Sequence, residues 1–322
     1  MLRPVTAPRP LLLAVALAVA VTGTAAAPGE VEVRRDVQFG VANGKPLLLD
    51  AYVPPPAAGL RPAVVLIHGG GWRTGDKGSY APEARRLAER GWVAFSVNYR
   101  LNEPSPFPAA VEDVQRAVRW VRAEADEYDV DPARIGALGE SAGGHLAAML
   151  ATSGAGRIDT GARVAVAVAW SGPMDLAALA RTRGDAWAVP LMGCPLSACP
   201  ERFAQASPTT HVDMSDAPLM LVNSTDELVP LSQAQAMESR LEQAGVPRQL
   251  DVYPGNRHAL DYRDDAWAPT ARFLESHLSG AGATPGRTSV GTVVFLVVVV
   301  LVAVAGSAAI MVVARRRSAA AR

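Results

Sequence analysis

Between residues 31 and 278 short apolar runs alternate with stretches of helical spacing, and this alternation narrows the possible folds more than any other feature of the chain. Residues 63–67, 93–97, 135–138, 164–170, 219–222 and 249–253 read as strands. They are short and almost wholly apolar, as strands are when both faces of a sheet are covered. Residues 82–90 and 142–152 read as helices, and Val111, Val114, Val118 and Val121 recur at intervals of three and four, the spacing of a buried helical stripe. Two strands at 31–39 and 47–53 open the series as a hairpin turned by Asn43-Gly44. The pattern predicts an α/β fold with a mostly parallel central sheet and helices on both faces. Residues 174–212 break the rhythm and are expected to form a small cap insertion over one end of the sheet. Ligands of such sheets bind at the carboxyl ends of the strands, so functional residues are sought just after each strand.

The two ends of the chain set the expected compartment. Residues 1–27 begin with Arg3 and Arg9, continue through an apolar stretch at 11–21 and finish in small residues, the pattern of a cleaved secretory leader. An apolar helix that short crosses only about half of a bilayer's hydrocarbon core. Residues 290–314 carry no charge and are long enough to span it, and Arg315, Arg316 and Arg317 follow as a cytoplasmic stop-transfer signal. A buried core helix would show a polar face, and a cleaved anchor-attachment signal would end apolar, so neither alternative fits as well. The expected organisation is a leader (1–27), a catalytic domain (28–278), a Gly/Ser/Thr-rich tether (279–289), one transmembrane helix (290–314) and a basic tail (315–322). The domain is then held on the extracytoplasmic side of the cell membrane. In that oxidising space Cys194 and Cys199, the two cysteines of the chain, are expected to pair as a disulfide. The alternative, a metal site, lacks a nearby histidine or a second cysteine pair. A formal net charge of zero over 322 residues gives no basic footprint for nucleic acid.

Gly139-Glu140-Ser141-Ala142-Gly143 falls between a predicted strand and a predicted helix. A bare G-x-S-x-G also arises as a helix cap with packing glycines. The strand–turn–helix setting instead suits a nucleophile elbow, which thrusts the Ser141 hydroxyl out at the sheet edge and aims the Ala142 amide at a developing oxyanion. His68-Gly69-Gly70-Gly71-Trp72 follows the strand ending at residue 67, where glycines let backbone amides approach a substrate oxygen. Gly70 and Gly71 are taken as oxyanion donors, with the choice among Gly69, Gly70 and Gly71 left open. A phosphate cradle would need a following Lys-Ser/Thr, which is missing. Of five histidines, His258 is the one that follows a late strand as a base should; His68 belongs to the glycine loop and His145 lies a helical turn past the serine. Asp226, just after the strand at 219–222, is expected to accept the Nδ1 hydrogen of His258, while Glu227 is expected to point the other way. The order Ser141, Asp226, His258 is that of the α/β-hydrolase fold. Trp72 and Trp187, with Leu191 and Met192, are the expected pocket walls.

Several further motifs carry a resemblance. Tyr99-Arg100-Leu101, Pro106-Phe107-Pro108-Ala109-Ala110, Asp113, Asp131-Pro132-Ala133-Arg134-Ile135, the Ser141 elbow, Asp226-Glu227-Leu228-Val229-Pro230 and Tyr253-Pro254-Gly255 with His258 follow one another as in α/β-hydrolase carboxylesterases. The sequence resembles the hormone-sensitive-lipase-like and feruloyl-esterase/formamidase-like branches over about residues 30 to 278. It departs from them at Val222-Asn223, where members often carry His-Gly. The resemblance implies a serine hydrolase that cleaves small-molecule esters through an acyl-enzyme, with no metal or organic cofactor. An amide hydrolase of the same fold remains open, because one triad serves both reactions. A non-catalytic surface module is the third reading, opposed by the intact nucleophile, base, acid and glycine loop. The motifs bear on chemistry and not on oligomeric state.

Overall fold

A computed structural model of the chain describes residues 29–154, 159–184 and 189–279. The expected leader, the transmembrane helix, the basic tail, nearly all of the tether and Trp187 lie outside the described residues. Among the described residues no helix is long and apolar enough to cross a membrane.

The chain opens with β1 (Glu32–Ala42) and β2 (Lys45–Val53), an antiparallel hairpin. Its turn residues Asn43 and Gly44 both have positive φ, at 50° and 71°. Two left-handed residues in sequence match the twist of a tight hairpin, which is why Asn-Gly stands there. The alternating part follows: β3 (Arg61–Ile67), α1 (Ala81–Glu89), β4 (Val93–Val97), α2 (Ala109–Ala123), β5 (Val130–Glu140), α3 (Ala142–Thr152) and β6 (Val166–Trp170). The insertion contributes α4 (Leu176–Arg183), α5 (Val189–Met192) and α6 (Pro200–Gln205). The chain then returns through β7 (Leu219–Ser224), α7 (Leu231–Ala244), β8 (Arg248–Tyr253) and α8 (Arg263–Leu278).

Eight strands form one sheet in the order β1-β2-β4-β3-β5-β6-β7-β8. Only the β1–β2 and β2–β4 pairings are antiparallel; every pairing from β4 onward to β8 is parallel. Strand side chains alternate between the two faces, and the core divides accordingly. Ala63, Val65 and Ile67 of β3 pack with Val114, Val118, Leu146 and Met237, so α2, α3 and α7 cover one face. Val64 and Leu66 pack with Ala84, Leu87, Ala266 and Leu274, so α1 and α8 cover the other. Full burial of each large aliphatic side chain contributes about 1.5–3 kcal/mol, and β3 is buried along its whole length.

β5 is longer than its apolar run suggests, because Arg61 pairs with Val130 and the strand passes a register shift before it pairs again at Ile135. Its far end reaches Glu140, so Ser141 follows the strand directly. The insertion lies against the α2/α3 side: Leu176, Leu191, Met192 and Phe203 join that core cluster. Leu191 carbonyl oxygen also accepts the Phe107 N–H at 2.7 Å. Cys194 and Cys199 are joined as a disulfide.

Candidate active site

Ser141 occupies the turn between β5 and α3 with φ 52° and ψ −116°. A non-glycine residue held in that region stores on the order of 1–3 kcal/mol of backbone strain, offset by the surrounding structure. Ser141 N–H donates to Trp170 O at 2.7 Å on the β6 side, and Ser141 O accepts the His145 N–H at 3.0 Å as the helix begins. The flanking glycines are required by close approach and not by handedness. A Cβ on Gly139 would meet the Gly143 carbonyl, and one on Gly143 would meet the carbonyls of Ile67 and His68. The serine itself bears the unusual φ.

His258 stands after β8 with Nε2 at 3.0 Å from Ser141 Oγ. Its Nδ1 makes a short hydrogen bond to Glu227 Oε2. The Glu227 side chain is fully buried, and its Oε1 accepts the Ser224 N–H at 2.7 Å. Asp226, the residue expected at His258, is exposed instead and accepts from Thr225 Oγ1 at 2.7 Å. The reason is local. β7 runs on to Ser224, and the Asp226 N–H is tied to Gly255 O at 2.9 Å, which turns the aspartate side chain outward. The alternation rule that sent Glu227 away holds within a strand, but this pair lies in the turn beyond it. The extra methylene of glutamate then spans the distance from the turn back to the imidazole. The His258 loop is held from below: Ala259, at φ 54°, donates its N–H to Ser171 Oγ at 2.9 Å. Ser171 Oγ lies 2.6 Å from Tyr262 Oη, which donates to Val222 O at 3.0 Å.

A cavity of about 310 Å³ opens beside Ser141, lined by Gly70, Gly71, Trp72, Arg73, Thr74, Ala142, Pro173 and Leu228. Gly69 N–H is taken by Glu140 Oε1 at 2.5 Å, which leaves Gly70 and Gly71 as the loop glycines that line the cavity with Ala142. Burial pushes the Glu140 carboxyl above its ordinary range, against the opposing pull of that amide and of His258. The loop is pinned by two histidines, neither of them at the serine hydroxyl. His68 Nδ1 donates to Gly69 O at 2.8 Å while its ring stacks on Tyr99, whose hydroxyl donates to His68 O at 2.9 Å. His145 donates from Nε2 to Ala206 O at 2.7 Å and accepts from Trp72 Nε1 at Nδ1, 3.3 Å away. Trp72 Nε1 can only donate, so His145 Nδ1 must be unprotonated. Burial pushes the His145 pKa down to about 4, in keeping with that tautomer.

Trp72 lines the cavity as expected, whereas Leu191 and Met192 pack into the core and Pro173 and Leu228 form wall instead. Nothing in composition or spacing marks Pro173 and Leu228; only the folded loops bring them to Ser141. Trp187 lies outside the described residues, and among those described no cluster of His, Cys, Asp or Glu could hold a metal ion. Chemically, a hydroxyl on an imidazole backed by a buried carboxylate can lose its proton as it attacks, and amides facing the cavity can receive negative charge.

Comparison with known proteins agrees with this architecture. The BD-FAE family model matches residues 49–241. A probable carboxylic ester hydrolase, LipM of Mycobacterium tuberculosis, is 33% identical over 292 residues, covering 81% of this chain and 66% of LipM. Esterase LipQ of the same organism is 32% identical over 244 residues, covering 70% of this chain and 57% of LipQ. The chain thus spans under two-thirds of the length of these curated relatives. A truncated carbohydrate esterase from gut microbiota has the same fold, with a TM-score of 0.69 at 23% identity over 79% of this chain and 99% of that one. With a family model matched over more than half of its length and a relative one-third identical across four-fifths of it, the chain belongs to the BD-FAE family and has the α/β-hydrolase fold.

Proposed function

We propose that this chain is a serine carboxylesterase in which Ser141, His258 and Glu227 form the catalytic triad. The observation that carries the reading is the 3.0 Å approach of His258 Nε2 to Ser141 Oγ, with buried Glu227 on the other ring nitrogen and the cavity alongside. In the reaction His258 takes the Ser141 hydroxyl proton as Oγ attacks the ester carbonyl carbon. The carbonyl oxygen becomes an oxyanion held by the amides of Gly70, Gly71 and Ala142. The C–O bond to the alcohol breaks as His258 returns the proton to it, leaving Ser141 acylated. Water, deprotonated by His258, then attacks the acyl carbon; the acyl C–Oγ bond breaks as His258 returns that proton to Ser141 Oγ, freeing the acid and the serine. Glu227 fixes the imidazole tautomer and stabilises the imidazolium, the role that sequence position alone suggests for Asp226. LipM and LipQ, both named as ester hydrolases, support the ester bond as the target.

Amide hydrolysis is the second reading, favoured by a local match to bovine arylacetamide deacetylase, 43% identical over 106 residues. The test is hydrolysis of a p-nitrophenyl ester series and of the matching p-nitroanilides by the full chain in detergent, beside Ser141→Ala. Ester turnover lost in the variant supports the esterase; turnover confined to anilides moves the reading to the amidase. Turnover of neither overturns both.

The leader at 1–27 and the uncharged run at 290–314 with its three arginines support export and a single membrane anchor, with the catalytic domain outside. Protease added to intact cells should then degrade the catalytic domain and spare the tail. Resistance of the domain in intact cells, with cleavage only after lysis, would refute this topology.

A further inference from the structure

Among the described residues, the wall of the cavity beside Ser141 is neutral except at one. Gly70, Gly71, Trp72, Thr74, Ala142, Pro173 and Leu228 carry no charge, and Arg73 is the charged member of the set. Three acidic groups near the serine are turned elsewhere. Glu140 receives the Gly69 N–H, Glu227 receives His258 and the Ser224 N–H, and neither lines the cavity. Asp226 is exposed on its turn, bonded to Thr225, and also stays off the wall.

Arg73 is also held in place. Trp72 adopts φ 58° and is 2% exposed, its indole locked on His145, so the residue after it is directed outward. The Arg73 and Thr74 N–H groups both donate to Gly70 O at 3.1 Å, closing a tight turn on the glycines that face the serine. Among the described residues the Arg73 guanidinium makes no hydrogen bond or ion pair. An exposed cation whose backbone is anchored at the mouth of a cleft that already presents backbone amides gives that cleft a positive potential.

We infer that Arg73 is a specificity-determining residue that selects esters bearing a carboxylate near the scissile bond. The inference rests on the esterase reading above and adds a substrate class to it. A guanidinium offers paired donors that match a carboxylate's two oxygens, so the preferred substrate is a monoester of a dicarboxylic acid or an ester of a carboxylate-bearing alcohol. Neutral esters of the same shape lack that contact, and cationic esters are repelled.

The test uses two matched pairs with the full chain in detergent. The p-nitrophenyl monoester of adipic acid is compared with p-nitrophenyl hexanoate, placing charge on the acyl side. The second pair, 4-acetoxybenzoate against 4-acetoxybenzamide, places it on the alcohol side. The readout is the charged-to-neutral ratio of kcat/KM. In at least one pair it should fall about fivefold in Arg73→Gln, the scale of a single partly solvated charge contact. It should fall further in Arg73→Glu and be only partly retained in Arg73→Lys, which keeps the charge without the paired donors. Raising the salt should compress the wild-type ratio toward that of the glutamine variant. The pair that responds identifies which half of the substrate carries the carboxylate. Ratios unchanged across all four proteins, with esters turned over, overturn this inference alone. A wild type inert toward every ester overturns the esterase reading and this inference with it.

Discussion

Exchanging the carboxylates of Asp226 and Glu227 for amides one at a time separates the triad proposed here from the one their sequence positions suggest. Glu227→Gln keeps the shape of a fully buried side chain and can keep its contact with the Ser224 N–H. What changes is the group facing His258 Nδ1. An amide NH₂ there requires Nδ1 to accept, which forces the ring proton onto Nε2, the atom that must receive the Ser141 proton. Where the same tautomer error has been imposed on a Ser-His-Asp triad, kcat falls about 10⁴-fold, equivalent to about 5.5 kcal/mol of barrier. Asp226→Asn keeps an oxygen that can accept the exposed Thr225 hydroxyl and should change kcat/KM by no more than about threefold. The assay is hydrolysis of p-nitrophenyl butyrate by the two variants and wild type, with thermal melts to confirm that all three are folded. A folded Glu227→Gln with near-wild-type turnover, or an Asp226→Asn that loses several orders of magnitude, would refute the reasoning and restore the aspartate.

Three other outcomes follow from the structure. His145 is buried and neutral with a pKa of about 4, whereas in the unfolded chain it titrates near 6.5. As the pH drops below about 6.5 the unfolded state takes up a proton that the native state refuses, so stability falls by about 2 kcal/mol at pH 5 and about 3 at pH 4. Urea titrations at those pH values should show this slope in wild type and a shallower one in His145→Gln; equal slopes would exclude His145 as the cause. Gly143→Ala drives a methyl into the Ile67 carbonyl and should destabilise the fold by at least about 3 kcal/mol, so a melting temperature within a degree or two of wild type would contradict the close approach. Reducing Cys194–Cys199 releases only a short loop, and the chain-entropy model gives a loss of about 2 kcal/mol. Thiol titration of the unreduced protein should find no free thiol before reductant is added, and two free thiols at that stage would sink the pairing.

The sheet was legible because its strands are nearly pure apolar runs, and covered parallel strands leave little room for anything else. That Ser141 and His258 would meet was legible because Ser141 sits in a glycine-flanked turn after a strand and His258 is the one of five histidines that follows a late strand. Which carboxylate meets the imidazole was not. Two carboxylates stand side by side after β7, and which one reaches the imidazole depends on where the strand ends and on which backbone amide is tied down. Ser224 and the Asp226–Gly255 hydrogen bond decide that, and both are tertiary facts. A signal was nonetheless available: neighbours alternate in direction only inside a strand, and glutamate has the longer reach. The pocket walls failed for a related reason. Leu191 and Met192 have the composition of a ligand wall, but the insertion folds them onto the core beside α2 and α3. Glu140 escaped notice as a loop anchor because its partner is the Gly69 amide, 71 positions earlier in the chain.

The most direct test of the proposed chemistry is covalent trapping. The full chain is treated with a fluorophosphonate, digested, and the modified residue located by mass spectrometry. One adduct is expected, on Ser141, absent from Ser141→Ala and formed far more slowly in His258→Ala. Labelling at another serine, or no labelling of a folded protein that still hydrolyses esters, would contradict the proposed chemistry.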